Sequence, residues 1–498
     1  MTSFRKSLVI NFLSSSGATM AQFVISLVVA RLLSPAEIGI YSIAIVLVNI
    51  AHVFRDFGVG TYLQREAHLT PGKVRSAMGV AYAIAWFIAL CIYLSSGLVA
   101  RYFGYPEIQP VMHILAISFL FIPFSSVALA LLLREYDATK IAWGSFWGTI
   151  AYAVVCLGLA YNGYGPRSLA WANLANILAT GLAYIWLRPV HMSYLPRFSE
   201  VGGIVRFGGG ALFTNLIRSA NDALPDLILG KIGSARQVGL VSRANSTVNI
   251  FIYIAGSAMN FGSQTYLAKA HHAKQPLEPL LHRSIALVTG VGWPMLAITA
   301  IAARDIIVGL YSGIWVDAAP VVPPLALMAA IGLMFYYHTA AFNAIGRPYL
   351  AAIPLLITAV SRIVLTVALF SGSIVSFGWA LALATLATMP VWLILQKYHL
   401  GCGMTAFFAM LLPSAVVTAI TGATGVVALQ LIYDAGIESP VLRVLAMAVP
   451  VGIAWLLSLR LLKHPLYDEL LILLKAALSS TRFQNRRSAG EQGQDHGS

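Results

Sequence analysis

One apolar segment of the chain contains three ionisable residues at a constant spacing. The segment reads GGGALFTNLIRSANDALPDLILGK and includes Arg218, Asp222 and Asp226 at intervals of four. In an α-helix this spacing places all three side chains on one stripe. A charged side chain near the bilayer centre costs at least about 2.5 to 3.5 kcal/mol, so we expect the stripe to face a wet internal cavity. A structural Arg–Asp pair that joins two helices is the alternative, although such a pair needs no second carboxylate.

Uncharged polar residues accompany this stripe. Asn215 and Asn221 lie on neighbouring faces of the same segment, and Gln22 lies in the first apolar segment of the chain. We predict that these amides also line the cavity. For the first segment, packing of its small polar residues against other helices explains the pattern equally well.

A second guanidinium group falls near the middle of another apolar segment. Arg362 lies within ITAVSRIVLTV. Two arginines in one cavity would suit a diphosphate, because each guanidinium stays protonated and offers planar, bidentate donors. The alternative for Arg362 is a structural contact with Asp222 or with a backbone carbonyl of another helix.

The sequence contains no motif typical of an enzyme or a metal site. G-x-S-x-G, H-E-x-x-H and the P-loop are all absent, and no other paired carboxylates occur. Cys91, Cys156 and Cys402 show no C-x-x-C or Cys/His spacing, which predicts neither a disulfide nor a metal centre. We therefore predict a non-enzyme without a cofactor, and the choice between a proton and a sodium gradient as its energy source stays open.

The composition predicts that lipid is the main solvent. Hydrophobic residues make up 59% of the 498 residues, charged residues only 10%, and the mean hydropathy is +0.80, whereas soluble proteins carry about 25% charged residues. The formal net charge of +14 is spread over short loops, which argues against a nucleic-acid-binding face. Apolar runs of about 20 residues recur from end to end, each long enough to cross a bilayer as a helix.

These runs predict an all-α polytopic membrane protein with about fourteen transmembrane helices. The predicted spans are 9–33, 38–57, 77–100, 110–133, 141–161, 168–187, 204–230, 237–262, 285–303, 320–345, 349–370, 376–396, 404–432 and 440–462. With the N-terminus in the cytoplasm, most Lys and Arg residues fall in cytoplasmic segments, so we predict that both termini are cytoplasmic. The leucine spacing from His464 to Ser480 predicts an amphipathic helix on the cytoplasmic face, followed by a disordered tail.

Short motifs recur in the two halves of the chain in the same order. RLLSPAEIG (31–39) matches KIGSARQVG (231–239), TYLQREAH (61–68) matches TYLAKAHH (265–272), and LAWANLA (169–175) matches FGWALAL (377–383). The matches include loop residues, which hydrophobicity alone does not dictate, although chance similarity is the alternative. We predict two pseudo-symmetric six-helix lobes, 1–190 and 191–400, two additional helices in 401–462, and the cytoplasmic segment 463–498.

Three segments carry a resemblance to a known family. ARLLSPAEIGIYSIAIVLVNIAHVFRDFGVGTYLQRE (30–66), DLILGKIGSARQVGL (226–240) and AFNAIGRPYL (341–350) resemble Wzx-type polysaccharide and O-antigen flippases. These flippases belong to the multidrug/oligosaccharidyl-lipid/polysaccharide exporter superfamily. The similarity in the number and order of spans covers nearly the whole chain.

The resemblance implies a V-shaped, two-lobed transporter in the bacterial inner membrane that works by alternating access. Its substrate would be an undecaprenyl-diphosphate-linked repeat unit, moved from the cytoplasmic to the periplasmic leaflet for exopolysaccharide or O-antigen synthesis. Its partners would be this glycan lipid, membrane lipids and the polymerase machinery. The residues that the resemblance implies for the cavity are Arg218, Asp222, Asp226 and Arg362, and those for gates are Arg31, Arg55 and Asp56. We also predict a gate role for Arg243, near the outer end of span eight. For these interfacial residues, snorkelling or local pairing is the alternative.

The sequence leaves other functions open. The mid-membrane charges concentrate in the second lobe, which departs from a symmetric picture of headgroup binding. A MATE-like, ion-coupled drug or cation antiporter would have the same architecture, with Asp222 and Asp226 as ion-coupling carboxylates, and a lipid II flippase would use almost the same physics. A membrane glycosyltransferase, polymerase or ligase is disfavoured, because the chain has no long external loop.

Overall fold

A computed structural model describes the chain over residues 17, 20–56, 59–66, 68–135, 137–187, 195–198, 201–257 and 263–472, with the side chains of 55–56, 61, 65, 201–214, 251–266, 268 and 348 outside that description. Throughout these ranges the regular structure is helical. The helices are Met20–Leu32 (α1), Pro35–Asp56 (α2), Val59–Arg65 (α3), Pro71–Phe103 (α4), Ile108–Arg134 (α5), Ala138–Tyr161 (α6), Pro166–Trp186 (α7), Val201–Ile232 (α8), Ala235–Ser257 (α9), Ser263–His272 (α10), Leu277–Ile301 (α11), Ala303–Tyr311 (α12), Val322–Met334 (α13), His338–Ala344 (α14), Ala352–Leu369 (α15), Ile374–Leu400 (α16), Met404–Asp434 (α17), Pro440–Leu461 (α18) and 465–472 (α19), with 3₁₀ segments at Gly313–Val321 and Pro348–Ala351.

The helices confirm the predicted all-α membrane fold. Eleven described segments are long and apolar enough to cross a membrane. Adding α1, whose predicted first half lies outside the described residues, and the more polar α8 and α9 to these eleven gives the predicted fourteen spans. Most predicted span ends agree with the observed helix ends to within a few residues, because apolar length alone fixes where a helix can cross lipid.

The tenth span differs from the continuous helix that the sequence predicts. Gly313–Ala344 begins as a 3₁₀ segment, continues as α13, turns at 335–337 and resumes as α14. At the turn the amides bond three residues back instead of four: Phe335 N–H donates to Gly332 O at 3.1 Å and His338 N–H to Phe335 O at 3.1 Å. This tighter period breaks the helix within the span.

The described helices form two compact units. The first comprises Met1–Asn245, Ile307–Val321 and Ala352–Ala387, and the second comprises Ser246–Ile306, Val322–Ala351 and Thr388–Ser498. This division follows contacts, whereas the predicted boundaries follow the sequence repeat, and the repeat-based domains stay a prediction. In the first unit an apolar core joins α3, α4 and α5 around Leu63, Met78 and Leu132.

In the second unit α19 packs against the long helices near the end of the chain. Leu466 joins Val417 and Leu459 in an apolar cluster, with Leu470 packed against it. His464 is also buried: its Nε2 lies 3.0 Å from Ser414 Oγ, and its Nδ1 accepts a hydrogen bond from Leu466 N–H at 3.2 Å. The predicted amphipathic helix therefore exists as far as residue 472, and its continuation and the predicted tail lie outside the described residues.

Candidate functional site

The predicted charged stripe lies on α8, which packs between α2 and α15 within the first unit. Asn215, Arg218 and Asp222 are all exposed and share one face of α8, whereas Asp226 is half-buried. Ser219, one residue beyond Arg218, donates to Asn49 O of α2 at 3.4 Å. The shared face agrees with the spacing of four residues, and the predicted wet cavity in front of this face stays a prediction.

Asn221 joins α8 to α15 and holds the second guanidinium group. Its side chain is 3% exposed, and its Nδ2 donates to Leu355 O at 2.7 Å. Arg362 Nη1 donates to both the backbone oxygen and Oδ1 of Asn221, each at 2.7 Å. The structural alternative for Arg362, a contact with a carbonyl of another helix, is therefore present. It fixes where the half-buried guanidinium lies beside α8.

The two predicted arginines lie within electrostatic range of one carboxyl group. The charges of Arg362 and Arg218 both act on Asp222. We call these three side chains the arginine cluster, which contains two guanidinium groups and one carboxyl group. Within the described residues, the exposed Arg218 guanidinium makes no hydrogen bond. Its planar donors are available to an anion.

Asp226 is separate from this cluster. Among the described groups, no cation acts on its carboxylate. Asp226 therefore does not balance the charge of Arg218 in this conformation, although it lies one helical turn beyond Asp222 on the same stripe.

The repeated sequence motif forms two equivalent helix starts. Ser34 N–H donates to Glu37 Oε2 at 2.8 Å and Glu37 N–H donates back to Ser34 Oγ, which caps α2. Ser234 N–H donates to Gln237 Oε1 at 3.0 Å and Gln237 N–H donates back to Ser234 Oγ, which caps α9. Both are capping boxes of the S-x-x-E/Q type. The repeat is therefore present in the local structure of the two helix starts as well as in the sequence.

The two helix starts cross at a pair of glycines. A Cβ atom on Gly39 would lie 1.7 Å from Ala235 O, and a Cβ atom on Gly239 would lie 1.9 Å from Pro35 O. Only glycine allows the two backbones to approach this closely. One turn further, Ser42 Oγ and Ser242 Oγ lie 3.4 Å apart, at a sequence separation of 200. A local pseudo-two-fold axis passes through this crossing, which we call the glycine crossing (Pro35–Ser42 and Ala235–Ser242).

Predicted gate residues surround the glycine crossing. Arg31 Nη2 lies 3.5 Å from Gly309 O, and its repeat equivalent Lys231 donates to Tyr102 O at 2.8 Å. The distribution of Lys and Arg predicts that this end of the helices lies outside the cytoplasm. Each repeat thus uses a cation at the end of one helix to reach a carbonyl near the end of another.

Arg243 lies deeper in the same region. It is buried, its Nη1 donates to Ser26 Oγ at 2.7 Å, and its Cζ lies 5.8 Å from the ring centroids of Tyr311 and Trp315. Trp315 Nε1 donates in turn to Ala30 O at 2.6 Å. The structure therefore connects Arg243 to the end of α1 through an aromatic pair.

The remaining predicted site residues are not part of either group. Gln22 is exposed on α1. The side chains of Arg55 and Asp56 lie outside the described residues, so their predicted gate role stays a prediction. Among described side chains, no group of three or more His, Cys, Asp or Glu residues could hold a metal ion.

The family follows from a match that covers more than half of the chain. Residues 28–320 match the family described as polysaccharide biosynthesis protein. The chain belongs to this family. The matched range includes the glycine crossing, Arg218, Asp222 and Arg243, whereas Arg362 lies beyond it.

Two named proteins are similar to this chain over part of their length. The chain is 25% identical to the succinoglycan biosynthesis transport protein ExoT of Rhizobium meliloti (strain 1021) over 64% of this chain and 65% of that protein. It is 19% identical to the lipopolysaccharide biosynthesis protein WzxC of Escherichia coli (strain K12), over 62% of each chain. The aligned region thus spans just under two thirds of the length of both relatives.

Solved structures share the fold of this family member. The inward-closed conformation of the lipid II flippase MurJ superposes with a TM-score of 0.71 at 13% identity, covering 91% of this chain and 99% of that one. An inward-facing MATE transporter of the MOP superfamily gives a TM-score of 0.63 at 13% identity, covering 77% and 94%. At these identities the similarity establishes the fold alone.

Several residues near the glycine crossing are not among those predicted from the sequence. These are Glu37, Gln237, Tyr311 and Trp315. The S-x-x-E and S-x-x-Q spacing could have identified the two capping boxes. No local pattern connects Trp315 to Ala30, because the contact joins residues 285 positions apart.

Proposed function

We propose that the protein is a flippase that moves a polyprenyl-diphosphate-linked oligosaccharide across the bacterial cytoplasmic membrane. The observation that carries the proposal is the cluster of Arg218, Arg362 and Asp222 on membrane-spanning helices of a polysaccharide biosynthesis family fold. Two guanidinium groups suit an anion with several oxygens, and a diphosphate is the anion that such a lipid-linked substrate supplies.

The geometry supports different roles for the two arginines. Arg362 uses Nη1 to bind Asn221, so its remaining donors are held in a fixed direction. Arg218 is exposed on a helix face and is free to turn toward a ligand. A diphosphate that binds both would displace Asp222 from its two cations. Asp222 then balances the empty site, and the substrate balances the loaded one.

Alternating access would require the glycine crossing to open. In this conformation the crossing brings α2 and α9 into backbone contact on the side that the sequence assigns to the periplasm. A substrate shifts the equilibrium between two conformations only by binding one of them more tightly. The diphosphate would therefore favour whichever state aligns Arg218 and Arg362 best.

The relatives support the class of substrate. ExoT is named for succinoglycan transport and WzxC for lipopolysaccharide biosynthesis, and TuaB of Bacillus subtilis (strain 168), 19% identical, is named for teichuronic acid biosynthesis. All three names refer to the biosynthesis of a glycan, and that of ExoT refers to transport; we extend both features to this chain. We also propose that the protein lies in the inner membrane, that both termini are cytoplasmic, and that the protein delivers its substrate to a polysaccharide polymerase.

A MATE-like antiporter is the second candidate, and a specific observation favours it. Asp226 is half-buried and no described cation acts on it. A carboxylate in that position could bind a coupling ion. This candidate predicts drug or cation export instead of accumulation of lipid-linked sugar.

Deletion of the gene in its native host separates the two candidates. We expect the undecaprenyl-linked sugar to accumulate on the inner leaflet and surface polysaccharide to disappear, with restoration by the wild-type gene and not by Arg218→Ala. Resistance to cationic drugs should not change. Normal surface polysaccharide together with increased drug sensitivity would reject the flippase proposal and support the antiporter.

A further inference from the structure

A buried polar pair in the second unit has no role in the proposed diphosphate site. His338 and Gln396 are both 0% exposed, and His338 Nε2 lies 2.7 Å from Gln396 Oε1. Among the described residues, Gln396 Nε2 has no hydrogen-bond partner, and His338 Nδ1 has only a poorly aligned contact with the backbone of Phe335. Turning the Gln396 amide over exchanges the atoms but still leaves one on each side chain without a partner.

Two unsatisfied buried polar atoms in one pair call for an explanation. Each costs about 1 to 3 kcal/mol when no hydrogen bond replaces the one lost to water. Native structures keep few such atoms, and those that persist tend to serve a function or to bind a missing group. An apolar pair of similar shape at these positions would avoid that cost altogether.

Aromatic rings surround His338. Four aromatic rings enclose the imidazole, at centroid distances of 5.1, 5.7, 6.2 and 6.4 Å, and they belong to Phe335, Trp392, Phe407 and Phe342. Aromatic faces attract a cation within about 6 Å. Phe335 and Trp392 lie within that distance, so these two rings of the aromatic box would offset part of the cost of burying an imidazolium.

Among the described side chains, few titratable groups lie around the box. From α11, His282 acts on His338, and Glu278 Oε1 lies 4.0 Å from His282 Nε2. From α10, which also packs against α14, Lys269, His271 and His272 are all exposed. The near faces of α16 and α17 contribute Gln396, Trp392 and Phe407, none of which titrates.

The box also lies where the helix can move. His338 begins α14 directly after the turn at 335–337 that breaks the tenth span. Because both His338 and Gln396 are inaccessible to solvent, a proton can reach or leave the imidazole only when the elements around it rearrange. Proton exchange is thereby tied to a conformational change.

We propose that His338, held by Gln396 inside the aromatic box, is a proton-binding site that couples the proton gradient to transport. A proton from water adds to the free ring nitrogen in one conformation and returns to water in the other, with no other bond made or broken. An imidazole suits this role because it changes charge within the physiological pH range. The coupling part of this inference rests on the proposed flippase function.

Fluorescence of Trp392 tests the proton site without any transport. An imidazolium 5.7 Å from the indole should quench its emission. We expect purified wild-type protein to show a reversible step in emission between about pH 9 and pH 4, and we expect the step to be absent in both His338→Gln and Trp392→Phe. His113→Gln is the matched control, because His113 also lies in a span and stacks on Tyr93 at 4.3 Å. A step that survives His338→Gln in folded protein, or no step in the wild type, overturns the site.

Reconstituted transport tests the coupling. The probe is undecaprenyl-diphosphate-linked N-acetylglucosamine carrying a fluorophore, and flipping is followed by chemical reduction of the label. An imposed pH gradient should accelerate flipping by the wild type and by His113→Gln. His338→Gln should flip at the rate that the wild type shows without a gradient.

The two tests distinguish failure of the proton site from failure of the flippase proposal. A gradient response that persists in His338→Gln removes His338 from coupling and leaves the flippase standing. Absence of flipping in the wild type, together with a His338-dependent fluorescence step, rejects the flippase with this probe and leaves the proton site standing. If His338→Gln does not fold, Gln396→Leu serves in its place, because it removes the hydrogen bond to the imidazole and should shift the fluorescence step.

Discussion

The two arginines of the diphosphate cluster should differ in their tolerance of lysine. Arg218 is exposed and needs to present charge, whereas Arg362 must bind both oxygens of Asn221 and still face a ligand. Arg218→Lys should keep part of the activity, because a point charge remains. Arg362→Lys should lower the flipping rate by about tenfold to hundredfold, since lysine lacks the planar fork. Reconstituted flipping measures both, and equal losses would argue against this assignment of roles.

Asn221 should affect stability through a contact that no substrate reaches. Asn221→Ala removes the acceptor of Arg362 and the donor to Leu355, so we expect a loss of about 1 to 3 kcal/mol in the free energy of unfolding. Asn215→Ala is the control, because Asn215 lies on the same helix but is exposed. Thermal unfolding in detergent should show a lower midpoint for Asn221→Ala alone. Matching midpoints would mean that the amide bridge contributes nothing.

Among the elements, the start of α2 and the start of α9 depend on each other at the glycine crossing. Gly39→Ala and Gly239→Ala each add a methyl group where a backbone oxygen lies 1.7 or 1.9 Å away. The helices must move apart, at a cost of about 1 to 3 kcal/mol. We expect both variants to reach the membrane but to lose surface polysaccharide. Gly158→Ala is the control, because a Cβ atom there meets nothing within 4 Å, and it should behave as the wild type.

The docking of α19 should weaken in acid. Burial lowers the pKa of His464, so the folded state favours the neutral imidazole, whose Nδ1 accepts from Leu466 N–H. The stabilisation is complete above the ordinary histidine pKa of about 6.5 and is lost as the pH falls toward the lowered value. Hydrogen exchange of 465–472 should therefore be faster near about pH 5 than near about pH 8 after correction for intrinsic rates. His464→Gln should abolish the difference, and an unchanged difference would assign it to another group.

For the whole molecule, the distribution of basic residues predicts the membrane orientation. A reporter that is active only in the periplasm should be active when fused after Tyr164, in the loop between α6 and α7. It should be inactive when fused after Phe198, in the next loop. The opposite pattern would mean that the orientation in the membrane is the reverse of the predicted one, with the glycine crossing on the cytoplasmic side.

The sequence predicts this molecule well wherever one physical quantity decides the structure. Apolar length locates the spans, and a spacing of four residues places Arg218 and Asp222 on one face. Contacts between residues far apart in sequence cannot be predicted from one such quantity. The sequence does not reveal that Asn221 holds Arg362, that Trp315 reaches Ala30, or that the tenth span turns at 335–337, because each depends on how several helices pack at once.

The glycine crossing also bears on how the chain arose. Gly39 contacts the residue that follows Ser234, and Gly239 contacts the residue that follows Ser34. Such reciprocity defines an isologous interface, which two identical subunits form around a two-fold axis. A half-length ancestor could have made this contact with a second copy of itself before duplication and fusion joined the two. The halves have since diverged in charge, since the membrane-embedded arginines of the cluster belong to one of them, while their shared interface still fits both.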